Sequence, residues 1–203
     1  MEYVTLSAEA EVSFIEKKSE FIGHAAPVKT EEEAMEYINK IRKRYGDATH
    51  NCYAYMLANG SARYSDDGEP QGTAGVPILS VIQKGGFTDA VIVVTRYFGG
   101  ILLGAGGLVR AYGASARDAV AAARIVTYAE YTEFSVNCSY SDYQKLIPIV
   151  AKLGVKEDGS DFTDTVTMRL AAKPDVFKDF ADKVSEIGAG RIALNVTGSR
   201  FSE

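Results

Sequence analysis

The spacing of apolar residues changes several times along the chain, and each change marks an element. Residues 11–15 and 20–26 mix apolar and polar side chains in strand fashion on either side of Lys17-Lys18-Ser19, which predicts a hairpin with a solvated turn, at a sheet edge or beside it. Thr30 followed by Glu33 forms a capping box, and Ala34, Ile38, Ile41 and Tyr45 then recur at helical spacing up to Gly46. Lys40, Arg42, Lys43 and Arg44 complement the negative end of that helix. Residues 51–57 (NCYAYML) predict a strand covered on both sides, with His50, Cys52, Ala54 and Met56 on one face and Asn51, Tyr53, Tyr55 and Leu57 on the other. Residues 73–83 predict a short helix in which Pro77 lies near the start or marks a kink. Residues 90–95 (AVIVVT) are an unbroken β-branched run of the kind found in a central strand. Over 108–124, Leu108, Tyr112, Ser115, Ala119 and Ala122 give a helix a small-residue buried face, and Arg110, Arg117 and Arg124 form a stripe.

Beyond residue 129 the style changes. Thr132, Phe134, Val136, Cys138 and Tyr140 alternate with polar residues as in a half-buried strand. Ser141 with Gln144 offers a capping box for a helix reaching Leu153, kinked or broken in its first turn by Pro148. Residues 154–162 and 163–171 make two strands, and Pro174 opens a helix whose Phe177, Phe180, Val184 and Ile187 form one stripe, stopped by Gly188. Ile192, Leu194 and Val196 supply the last strand. This β-α-β-β-α-β order is the ferredoxin-like arrangement. The expected fold is therefore α+β in two domains, 1–129 and 130–203, with a short link near 127–130 that keeps them in fixed contact.

Composition narrows the function classes. The 203 residues are 46% hydrophobic and 24% charged, ordinary values for a globular protein. With 22 Lys and Arg against 27 Asp and Glu, the net charge of −5 gives no general pull toward polyanions or acidic membranes, so any nucleic-acid contact must come from a local basic patch. Two cysteines, Cys52 and Cys138, and two histidines, His24 and His50, are too few for a disulfide framework or a Cys/His zinc site. The start of the chain does not read as a secretory signal, and no stretch approaches a membrane span. A cytoplasmic protein with no membrane association, no cofactor and no metal is expected.

Two loops concentrate the residues that carry chemistry. The first, SDDGEPQGTAG at 65–75, sets Asp66, Asp67 and Glu69 among turn formers, with Thr73 following. It suits a hard cation, a general base, or an Asx-turn with helix-capping acids. The spacing does not match an EF-hand. The second, TRYFGGILLGAGGLVR at 95–110, runs a buried strand into Gly99, Gly100, Gly104, Gly106 and Gly107 and then a helix. Such a layout presents backbone N–H groups to anions, with Arg96 and Arg110 as charged partners, or it permits tight helix-on-sheet packing. It matches neither a Walker A motif nor G-x-G-x-x-G. His50 reads as a hydrogen-bonded structural residue or as a base beside the acidic loop, and a nucleophilic pair with Cys52 lacks a third orienting group.

Together with ATHNCYAY at 48–55, these two loops resemble the YigZ/IMPACT family over about residues 17–117, and the C-terminal half is similar in layout to the additional domain of bacterial members. The resemblance implies a first domain with the fold of the second domain of ribosomal protein S5, and a second similar to the last, ferredoxin-like domain of elongation factor G. Both are translation modules. Eukaryotic members regulate translation by competing for an activator of the amino-acid-starvation kinase, and the chain has no room for their separate N-terminal RWD domain. The family likeness places the binding surface at His50, Asn51, Asp66, Asp67, Glu69, Thr73, Arg96, Gly99, Gly100, Gly104, Gly106, Gly107 and Arg110, and Arg117 extends the expected groove.

The expected function is translation-linked regulation through binding of RNA, the ribosome or a translation-related protein, without catalysis. A phosphate- or nucleotide-binding small-molecule enzyme that joins the acidic loop to the Gly-rich loop is the alternative.

Overall fold

A computed structural model describes residues 2–203. The first part of the chain runs β1 (Glu2–Leu6), β2 (Ala10–Glu16), β3 (Ser19–Pro27), α1 (Glu31–Arg44), β4 (His50–Met56), β5 (Ala62–Ser65), α2 (Gly75–Gly85), β6 (Ala90–Tyr97) and α3 (Ala105–Ala123). It is followed by β7 (Ile125–Cys138), α4 (Tyr140–Leu153), β8 (Lys156–Phe162), β9 (Val166–Ala172), α5 (Pro174–Gly188) and β10 (Ala193–Ser202). Two units result, Tyr3–Thr127 and Tyr128–Glu203, the second including Glu2. The division falls inside β7, so residues 127–130 are strand where the sequence suggested a link.

In the first unit the order β2-β3-β6-β4-β5 puts the β-branched run of β6 at the centre of an antiparallel sheet. Alternation along β6 sends Ala90, Ile92 and Val94 into a core with α2 and α3, and Val91 and Val93 into a second core beneath α1. The sheet is therefore the middle of three layers. α1 starts as its capping box requires, with Thr30 Oγ1 accepting from the Glu33 N–H at 3.2 Å. Pro77 lies in the first turn of α2, where its missing N–H costs nothing. One contact fixes how α3 lies on the sheet, because a Cβ at Gly23 of β3 would stand 2.5 Å from the Ser115 carbonyl oxygen.

The second unit has strand order β10-β7-β9-β8, antiparallel throughout. With α4 and α5 this is the ferredoxin-like topology, and Phe134, Leu146, Met168, Leu170, Phe180 and Val184 are buried in its core.

Several boundaries depart from the sequence pattern. β1 and β5 were not expected, being short and without clear alternation. α3 begins at Ala105 and takes Gly106 and Gly107 into its first turn, while Arg124 terminates it at φ +60°. α4 is capped by Ser139 accepting from the Asp142 N–H, two residues ahead of the expected Ser141 and Gln144 pair, and it continues through Pro148. Among the described residues no helix is long and apolar enough to cross a membrane.

Candidate functional site

Two polar residues end the central strand, and alternation sends them to opposite faces. Arg96 points to the α2/α3 side and Thr95 to the α1 side. Both are buried.

On the α2/α3 side Arg96 Nη1 donates to Glu69 Oε1 at 2.6 Å, and the Tyr112 hydroxyl donates to the same oxygen at 2.7 Å. Glu69 comes from the acidic loop, Arg96 leads into the Gly-rich loop and Tyr112 lies on α3, so this one carboxylate ties the two loops together. Arg96 Nη2 donates to Ser19 Oγ at 3.3 Å, and the guanidinium lies between the Phe21 and Phe98 rings at 5.5 and 5.4 Å. Its Nε is buried with no partner among the described residues. Such a charge pair holds only because it is hydrogen-bonded on both sides.

His50, opposite Arg96 on β4, is the member of this group that reaches solvent, its side chain 19% exposed. Nδ1 lies 2.8 Å from the Asp67 carbonyl oxygen, which can only accept, so Nδ1 carries the proton and Nε2 faces Glu69 Oε1 at 3.8 Å. Cys52 is fully buried. Its thiol donates to the Asp66 carbonyl at 2.9 Å, and burial pushes its pKa up to about 12. It is a core thiol rather than a nucleophile.

Each carboxylate of the acidic loop has its own partners. Asp66 accepts from the N–H groups of Gly72, Ala74 and Gly75 at 2.8 to 3.0 Å, capping α2 from nine residues away where Ala74 has no side chain to do so. Burial raises its carboxyl pKa, but these three donors outweigh burial and hold it below the ordinary value. Asp67 adopts φ +44° and accepts from the Asn51 N–H at 2.7 Å and from Arg42 at 2.9 Å. Thr73 bonds the Pro70 carbonyl at 2.6 Å. Of the readings open from the sequence, Asp66 fits the helix-capping acid. Among the described residues no group of three or more His, Cys, Asp or Glu side chains is placed to hold a metal ion.

On the α1 side Thr95 Oγ1 donates to Asn51 Oδ1 at 2.7 Å and lies 3.2 Å from His24 Nε2, while Asn51 Nδ2 donates to the Tyr45 carbonyl at 3.2 Å. His24 is buried with Glu11 at 3.3 Å from Nδ1. Burial drives its pKa down to about 4, against the opposing pull of Glu11 and with the help of Arg44.

The Gly-rich loop is built for close approach at its base. A Cβ at Gly99 would stand 1.9 Å from the Lys18 carbonyl oxygen, so the loop presses on the β2–β3 turn, and the Gly99 N–H also donates to Ser19 Oγ. Gly100 and Gly104 take positive φ, and between them Ile101 and Leu102 stand 41% and 81% exposed. α3 then begins with no side-chain cap and no acid in its first turn.

Arg96, Arg110 and Arg117 have three different surroundings. Arg96 is neutralised in the core. Arg110 lies back over Gly106 in the first turn of α3 and lines a groove of about 280 Å³ with Lys17, Glu16, Phe14, Leu103 and Gly107. Arg117 lines a different pocket, between α2 and α3. Lys17 was not singled out from the sequence, although a signal was present. Lys17 and Lys18 occupy a two-residue hairpin with φ of +46° and +65°, positions that Asn and Gly normally fill. Tyr112, placed on the apolar face, was missed as a carboxylate donor, yet a core tyrosine hydroxyl needs an acceptor.

Comparison with known proteins matches both halves of the chain. Residues 17–120 match the Impact N-terminal domain, and residues 136–191 match a domain of unknown function (DUF1949). The chain is 51% identical over 118 residues to the IMPACT family member YvyE of Bacillus subtilis, covering 57% of this chain and 54% of that protein. It is 32% identical over 182 residues to the IMPACT family member YigZ of Escherichia coli, covering 88% and 89%. A solved structure titled as a hypothetical protein superposes with a TM-score of 0.61 at 30% identity over 97% of both chains. With both domains matched and a relative 32% identical over most of both chains, the chain belongs to the IMPACT family.

Proposed function

We propose that this chain is a cytosolic, translation-linked regulatory protein that binds RNA, free or within the ribosome, through the groove between the β2–β3 turn and the start of α3. The observation that carries the reading is the pairing of Lys17 with Arg110. Both line one groove, and neither has a hydrogen bond or ion pair among the described residues. The lysine turn supports it, because two non-glycine residues at positive φ cost about 1 kcal/mol or more each, and such strain is characteristic of functional positions. The N–H groups at the start of α3 add partial positive charge, and the exposed Phe98, Ile101 and Leu102 supply apolar surface for unstacked bases. In this reading Glu69, Arg96, Tyr112, His50 and Asn51 hold the two loops in position, and Arg110 and Lys17 make the phosphate contacts. The enzyme alternative draws less support, since the carboxylates it needs are committed to backbone, Arg42 and Arg96.

The test is co-sedimentation with ribosomes and with free RNA across a salt series, comparing the wild type with a Lys17→Ala, Arg110→Ala double variant. Binding falls steeply as salt rises, and the variant weakens it and lowers the slope of log K against log salt by about 1 to 2. Binding that ignores both salt and the variant overturns the RNA reading and favours a translation-factor protein as the partner.

A further inference from the structure

A second face of the first unit carries a pocket with a different lining. α2 and α3 each turn one stripe into the core, and each presents another stripe, sideways, to a shared pocket of about 590 Å³. Val109, Gly113, Arg117 and Val120 follow one another at helical spacing on α3, and Ser80, Val81 and Lys84 do so on α2. Phe87 closes the apolar floor. The volume lies in the range of sites that enclose a small organic ligand.

Gly113 makes the room. Any side chain there would grow into the pocket, since even a Cβ would come within 3.3 Å of Arg117 Nη1. The same distance shows that the exposed Arg117 side chain lies back across the glycine, at the rim of the pocket. Lys84 lines the pocket from the opposite helix. Neither cation has a hydrogen bond or ion pair among the described residues, and no Asp or Glu lines the pocket. In a chain of net charge −5, an apolar pocket rimmed by two exposed cations and lined by no acid complements a ligand of opposite pattern.

We propose that this pocket binds an amphiphilic carboxylate of the acyl type, its chain against Val81, Phe87 and Val120 and its carboxylate held by Arg117 and Lys84. A guanidinium matches a carboxylate with two parallel hydrogen bonds, and the lysine supplies a second charge. The site is separate from the Lys17 and Arg110 groove and stands independently of the RNA reading.

Decanoate, titrated into the full chain and followed by calorimetry and by amide NMR shifts on α2 and α3, tests the assignment. Saturable one-to-one binding is expected, about tenfold weaker in Arg117→Gln. Methyl decanoate, which lacks the charge, binds the wild type no better than decanoate binds that variant. Gly113→Leu fills the cavity and abolishes binding. Because that substitution is buried, Val109→Glu is the companion: Val109 is 41% exposed, so the fold tolerates the change, and the new carboxylate repels the ligand. Three results overturn the proposal. They are no saturable binding at millimolar decanoate, equal binding of acid and ester, and occupation by an acidic amphipathic peptide in place of decanoate.

Discussion

Thr95 and Arg96 are neighbours in one strand, yet the networks they seed on the two faces of the sheet are opposites. Beneath α1, Thr95, Asn51 and a neutral His24 satisfy one another without a net charge. Beneath α3, Arg96 and Glu69 bury a full ion pair. The neutral network is sensitive to protons and the charged one to deletion of a partner, because desolvation penalises whichever species is left charged and alone.

The largest effect is expected where the charged network is broken. Glu69→Gln leaves Arg96 buried without its counter-charge and lowers stability by about 3–5 kcal/mol, measured by urea denaturation. A double variant Glu69→Gln, Arg96→Met recovers part of that loss if the penalty belongs to the orphaned guanidinium. The neutral network is tested by pH. His24 in the fold resists protonation until about pH 4, whereas an unfolded histidine protonates near 6.5. Its contribution is therefore complete above pH 6.5 and is lost as pH falls from there to about 4. The window is worth up to about 3 kcal/mol. His24→Gln flattens the stability profile between those values, and a slope that persists unchanged in the variant would mean another group titrates there. A smaller change follows from Asp66→Asn, which weakens the acceptor for three N–H groups and costs about 1–2 kcal/mol by thermal unfolding. Smallest of all, Lys17→Ala and Arg110→Ala move stability by less than about 0.5 kcal/mol, so their effect on RNA retention reads binding alone.

The elements with strong local patterns are legible in the sequence. The run at 90–95 announced a central strand, Thr30 and Glu33 announced α1, and the order of elements past residue 129 announced the ferredoxin-like unit. β1 and β5 are not, because each owes its strand state to neighbours rather than to its own period. The same division runs through the candidate site. Both loops could be picked out by their residue types, but Arg96 and Arg110 look alike in sequence. Only the approach of Glu69 across 27 positions separates the buried arginine from the free one. Gly106 and Gly107 read as loop because glycine disfavours helix, and the tertiary packing of α3 overrides that preference.

The contact of Gly23 with the Ser115 carbonyl has a mechanical consequence. With its middle pinned against β3, α3 is held from sliding along the sheet, and the positive-φ glycines Gly100 and Gly104 bracket the exposed tip at Leu102. The loop is thus an overhang on a fixed post, bracketed by two glycines and set apart from the helix behind it.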